Sequence, residues 1–142
     1  MSNYPLQAYH FSVDWGGSNT GFTEVSGLSI FFEAIQYRDG NLKEDISLKI
    51  PGLTKFSNIV LKRGLISGDY DMYNWINTKV MGTIERRTLT IKLLNERHEP
   101  AVTWKVKNAF PIRYSGPILN AKSGEVAIEE LELAHEGIEI ML

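Results

Sequence analysis

Apolar and polar residues alternate with a period of two along much of this chain, the pattern of strands with one buried face. Phe11, Val13 and Trp15 alternate with Ser12 and Asp14, and Ile46, Leu48 and Ile50 with Ser47 and Lys49. Leu89, Ile91 and Leu93 alternate with Thr88, Thr90 and Lys92, and Val102, Trp104 and Val106 with Thr103, Lys105 and Lys107. Near the end, Val126 and Ile128 share one phase while Leu131 and Leu133 share the other. A bulge at Glu129-Glu130 is expected to return all four to one face. Further strands are expected over residues 21–28, 30–38 and 58–63.

Turn-forming clusters separate these runs: Gly16-Gly17-Ser18-Asn19, Asp39-Gly40-Asn41, residues 95–100, Ser115-Gly116-Pro117 and Ser123-Gly124. Asp39-Gly40 reads as a hairpin turn, because a type I′ turn needs the positive φ that glycine supplies at little cost. One segment has helical period. Met72, Trp75, Ile76 and Val80 share a face there, with Asp69 as N-cap and Gly82 as stop. Met72, Trp75 and Ile76 are the expected core contacts of this helix. Trp15, Trp75 and Trp104 each fall in phase with apolar neighbours and read as core. Some eight strands and one short helix predict a mainly β fold: a barrel or sandwich of antiparallel strands with the helix against it.

The 142 residues fit a single domain, 1–142, with 1–8 as an N-terminal arm and 36–55 as an extended hairpin. Hydrophobic residues at 43% and charged ones at 23% place the chain among globular proteins rather than disordered ones. There is no cysteine, which removes disulfides and thiolate chemistry. No signal peptide is visible at the start, and no stretch approaches the ~18 apolar residues of a membrane span. Cytoplasmic synthesis is therefore expected.

The net charge of −2 conceals an asymmetry. Residues 79–113 carry eight Lys or Arg against three Glu, and residues 123–142 carry six Glu with no Lys or Arg. Either these segments pair as neighbouring strands of one subunit, or they meet across a subunit boundary and set its register. On the second reading, Arg86 and Arg87 pair with Glu129, Glu130 and Glu132 of a neighbour. Neither reading favours nucleic acid, since no basic stripe interleaves with aromatics.

Catalytic chemistry is not encoded in any recognisable pattern. His10, His98 and His135 lie far apart without metal-ligand spacing, although strand pairing can unite two of them. No serine sits in a nucleophile elbow, and the glycines at 64 and 68 lack the lysine of a phosphate loop. Glu129, Glu130 and Glu132 read as a solvated strand face rather than as paired catalytic acids. No catalytic, cofactor or metal site is expected, and the chain does not read as an enzyme.

Five phrases in order carry a resemblance. They are Gly21-Phe22-Thr23-Glu24-Val25-Ser26-Gly27-Leu28; residues 50–64, beginning Ile50-Pro51-Gly52-Leu53; and Tyr73-x-Trp75 followed by Arg86-Arg87. Trp104-Lys105-Val106-Lys107-Asn108-Ala109-Phe110-Pro111 and residues 125–137 complete the set. From about residue 9 to the end, the chain resembles the tail tube proteins of contractile-tailed phages and extracellular contractile injection systems. That resemblance implies an Hcp-like fold, hexameric rings that stack into a hollow conduit, and a contractile sheath that drives the tube through a target envelope. It implies as partners the chain itself, the sheath, baseplate or spike and cap proteins, and effector cargo in the lumen. It implies assembly in the cytoplasm and deployment outside the cell as part of a particle. It also assigns the tip Arg38-Asp39-Gly40-Asn41-Leu42-Lys43-Glu44-Asp45, otherwise an ordinary exposed turn, to contact with the adjacent ring. A tube initiator or terminator paralogue and a small-ligand-binding β-barrel are the competing readings.

Overall fold

The structure, a computed structural model, describes residues 4–18, 21–41 and 47–141. Nine strands and one helix follow in the order β1 (Phe11–Asp14), β2 (Phe22–Ser26), β3 (Ile30–Tyr37), β4 (Leu48–Phe56), β5 (Ile59–Gly64), α1 (Asp71–Asn77), β6 (Arg87–Leu94), β7 (Pro100–Ser115), β8 (Ile128–Ala134) and β9 (Gly137–Met141). Every pairing among the described residues is antiparallel. The fold is mainly β with one short helix, as the alternation predicts.

Seven strands form one sheet in the order β1-β6-β7-β8-β5-β2, with β9 also beside β7. The 16-residue β7 makes this possible by changing partners along its length. Up to Ala109 it pairs with β6, and over Thr103–Lys107 with β9 as well; from Phe110 onward it pairs with β8. At the changeover Asn108 adopts φ 50°, a left-handed conformation that asparagine tolerates better than most residues. The alternating residues Leu89 and Ile91, Val106 and Ala109, Ile59 and Leu61, and Leu131 and Leu133 meet in one buried cluster with Trp15, Met72 and Trp75.

Helix α1 is shorter than its apolar spacing suggests. Thr78 Oγ1 donates to the Trp75 carbonyl at 2.7 Å and accepts the Glu85 N–H at 3.1 Å, satisfying helix-end groups and turning the chain away. Val80 therefore lies beyond the helix and is 82% exposed, whereas Met72 and Trp75 are buried and Ile76 half-buried. Tyr70 rather than Asp69 takes the N-cap position. Asp69 does accept the Asp71 N–H at 3.4 Å, but its carboxylate is shared with other partners described below.

The expected bulge at Glu129-Glu130 does not form. The β5–β8 ladder runs unbroken from Ile59↔Leu133 to Gly64↔Ile128, so Glu129 stays in phase with Leu131 and Leu133 and is buried. Val126 is left 74% exposed. Asp39-Gly40 is likewise no two-residue turn: Tyr37 pairs with Leu48 across a longer connection, and Gly40 is not in the positive-φ region. Strand β4 runs on to Phe56, β7 to Ser115, and β9 adds a strand that the alternation did not reveal.

Candidate assembly interface

Strands β3 and β4 form a sheet of their own, apart from the seven-stranded one. All eight residues of β3 are exposed, and so are most of those of β4. Cross-strand partners share a face, so Ile35↔Ile50 and Tyr37↔Leu48 present four large side chains on one side, with Gln36↔Lys49 on the other. Each of the four is about half exposed. Nearer the base, Ile30, Phe31, Phe32 and Leu53 are exposed as well. A two-stranded ribbon is marginal in water, and an apolar face of this size on it calls for a cover.

The base of this hairpin is held closely. The Ser57 N–H donates to the Ser29 carbonyl at 3.3 Å, and Asn58 Nδ2 donates to Glu132 at 2.9 Å. Gly27, at φ 95°, passes so near the Asn58 carbonyl that a Cβ there would stand 1.9 Å from its oxygen. In the seven-stranded sheet, β1, β2 and β9 each pair along one side only among the described residues, leaving backbone donors and acceptors open.

Beneath these surfaces lies a buried polar node. Arg63 and Glu129 are both 1% exposed and face each other across the β5–β8 ladder, Nε to Oε1 at 2.6 Å. They extend the apolar pairs Ile59↔Leu133 and Leu61↔Leu131 by one rung. Arg63 also donates to Asp69 Oδ1 at 3.2 Å and to Ser18 Oγ at 3.0 Å, and lies over the Trp15 ring at 5.3 Å. Ser18 in turn donates to Asp69 at 2.7 Å through Oγ and to Asp71 at 2.8 Å through its N–H. The node thus joins the 16–18 turn, β5, β8 and the start of α1.

Tyr114 from β7 closes the node by donating to Glu129 Oε2 at 2.7 Å. Burial, and next the bond to Glu129, push its phenol up to about 12. The folded state thus holds the proton more tightly than the unfolded chain. Its contribution to stability is complete below pH ~10 and is lost as pH rises through the folded value. In a pH series of thermal melts, Tyr114→Phe is expected to remove this part of the alkaline loss.

Residues of the basic and acidic segments pair within the chain at several points. Lys107 bonds Glu139 and holds its carboxyl below the usual carboxylate range. Arg86 bonds Glu136 at 3.1 Å and lies over Phe110, while Asn108 donates to Glu136 at 2.7 Å. Arg113 stands opposite Glu132, and Lys62 opposite Glu130. Of the residues expected to pair between subunits, Glu129 leaves the set because Arg63 claims it in the core. Arg87 bonds Glu85 at 2.9 Å and stacks 4.6 Å over Trp75. Arg86, Glu130 and Glu132 retain outward positions. At the hairpin tip, Arg38, Asp39, Gly40 and Asn41 are exposed, and Asp39 accepts the Asn41 N–H at 2.9 Å. Leu42, Lys43, Glu44 and Asp45 lie outside the described residues.

The profile of the T4-like virus tail tube protein gp19 family matches residues 7–139. The chain belongs to this tail tube family. Among solved structures, it is 34% identical to a chain of the PVC sheath–tube complex of an extracellular contractile injection system, covering 98% of this chain and 93% of that one at a TM-score of 0.87. It is 36% identical to a chain of the anti-feeding prophage tube-terminating cap, covering 99% and 93% at a TM-score of 0.88. Hcp1 from Flavobacterium johnsoniae shares the fold at 14% identity, with 92% and 93% covered and a TM-score of 0.57. No curated protein sequence matches the chain. The fold is thus Hcp-like, and the family is one of tail tube proteins.

Arg63 was missed as a structural residue of this tube fold, yet its signal is in the sequence. Ile59-x-Leu61-x-Arg63 and Glu129-x-Leu131-x-Leu133 each place a charge in the core phase, and the two charges have opposite sign.

Proposed function

We propose that the chain is the repeating subunit of the inner tube of a contractile injection particle. Copies close laterally into hexameric rings, rings stack into a hollow conduit, and sheath contraction drives the conduit through a target envelope. The carrying observation is the hairpin of β3 and β4, whose apolar face has no cover within its own chain among the described residues. In a homopolymer the cover is a neighbouring copy, meeting it through a different surface so that the contact propagates. Covering the open half of Ile35, Tyr37, Leu48 and Ile50 would contribute roughly 3–6 kcal/mol per contact before association costs. The open edges of β1, β2 and β9 supply further backbone groups for lateral closure. The exposed tip at Arg38–Asn41 is assigned to the adjacent ring.

Arg86 and Glu132, whose bonds within the chain to Glu136 and Asn58 lie at the surface, are assigned with Glu130 to setting register between copies. Each exposed pair is worth only ~0–1 kcal/mol, so repetition around a ring orients subunits more than it binds them. Sheath, baseplate or spike and cap proteins are the expected further partners, with effector cargo in the lumen. Synthesis and assembly belong in the cytoplasm, and deployment outside the cell. The subunit serves as a conduit wall and performs no catalysis.

Light scattering after size exclusion and negative-stain microscopy of the purified chain test this reading. Rings and long tubes are expected, and a monomer at high concentration overturns it. Rings that never elongate would instead identify a tube terminator. Ile35→Lys with Ile50→Lys is expected to leave a folded subunit, by circular dichroism, that forms no tubes.

A further inference from the structure

The hairpin that reaches for a neighbour is joined to the body at a corner containing one histidine. His135 Nε2 lies 2.7 Å from the Ser57 carbonyl oxygen, directly after β4, and the Gly137 N–H donates to His135 Nδ1 at 3.1 Å. These two bonds fix the state of the ring. An amide N–H only donates, so Nδ1 carries a lone pair; a carbonyl only accepts, so Nε2 carries the proton. The geometry exists for the neutral Nε2–H tautomer alone. The Phe56 ring stands 5.7 Å from the imidazole and 3.8 Å from where a Cβ on Gly137 would lie, so it links the hairpin base to the β8–β9 corner as well.

We propose that His135 is a proton-sensitive positioning residue for the assembly hairpin. A second ring proton, which histidine ordinarily takes up between pH 8 and 5, would set two donors against each other at Gly137. The β8–β9 corner then opens, and Ser57 loses its fixed partner. The charged groups around this corner are already engaged: Glu132 by Asn58, Glu136 by Arg86 and Asn108, and Lys107 by Glu139. Lys55, at the end of β4, pairs with Glu33 within the hairpin. The first bond broken by the proton is therefore that of the Gly137 amide. The assembly-competent aim of the hairpin is set at neutral pH and released in acid.

This inference rests on the hairpin being the contact between copies, but its test does not require assembly. Hydrogen exchange of residues 56–58 and 135–138, corrected for intrinsic rates, is compared at pH 7.5 and 5.5 in the wild-type chain and in His135→Gln. Gln retains a donor toward Ser57 and takes up no proton in this range. Protection at these residues is expected to fall about tenfold in acid in the wild type and to stay level in His135→Gln. Equal pH responses in the two proteins overturn the proposal, whether or not tubes form. In parallel, tube length by microscopy is expected to drop at pH 5.5 for the wild type and not for the variant.

Discussion

Replacing Arg63 with methionine is expected to lower the stability of the isolated subunit by roughly 3–5 kcal/mol, the usual cost of leaving half of a buried ion pair behind. For a chain of this length that is on the order of 10 °C in melting temperature. Methionine fills much of the volume beside Trp15 and Phe22, so most of the loss comes from electrostatics rather than from a cavity. Glu129 keeps the Tyr114 hydroxyl but loses its counter-charge in a place where it is 1% exposed. Two controls separate the causes. Arg63→Met with Glu129→Leu removes both charges and is expected to recover much of the loss, since a packed apolar pair often equals a buried salt bridge. Arg63→Lys keeps the charge but not the planar fork that reaches Glu129, Asp69 and Ser18 together, and is expected to recover only part of the loss. A single variant as stable as wild type would refute the account of the node.

Gly27→Ala is expected to be more damaging still at the hairpin. The residue adopts φ 95°, where a side chain costs about 1–2 kcal/mol by itself. The added carbon would meet the Asn58 carbonyl oxygen at 1.9 Å and the Ile59 Cα at 3.1 Å, both backbone atoms that cannot rotate away. The start of β5 or the end of β2 must shift, and those are the strands that aim the hairpin. A loss well above 3 kcal/mol, or failure to fold, is expected by chemical denaturation. Gly68→Ala is the matched control: it has φ 89° but nothing within 4 Å of an added Cβ, so only the conformational cost of about 1–2 kcal/mol applies. Equal losses in the two variants would show that the close approach at Asn58 carries no weight.

Much of this architecture was legible along the chain because alternation is a local property. Strand β6 buries Leu89 and Ile91 of the phase that its own residues announce and β1 half-buries Phe11 and Val13, whereas Leu48 and Ile50 of β4 stay exposed. The differences have separate causes. Val126 and Ile128 lie out of phase with Leu131 and Leu133, which calls for a bulge; the ladder instead runs straight, because Arg63 on the opposite strand lets Glu129 occupy the core phase. Val80 keeps the helical period in the sequence, but the chain leaves the helix after Asn77 through shorter bonds, Thr78 N–H to the Trp75 carbonyl and Val80 N–H to the Asn77 carbonyl. Asp39-Gly40 has the composition of a tight turn, but strand register, decided by Tyr37↔Leu48, leaves too many residues for one.

By itself the sequence determined the strand-rich class, the core phase of most strands, the position of the helix and, through ordered phrases, membership of the tube family. It also carried both charges of the buried node, though not the fact that they meet. Only the tertiary structure decided which strands are neighbours, that β7 serves two sets of partners, which basic and acidic residues pair within the chain, and that β3 and β4 stand apart with an apolar face open. The division has a physical origin. Periodicity is set by residues a few positions apart, whereas pairing, ion-pair partners and the lack of a cover depend on groups tens of residues distant, whose free energy is known only when they touch.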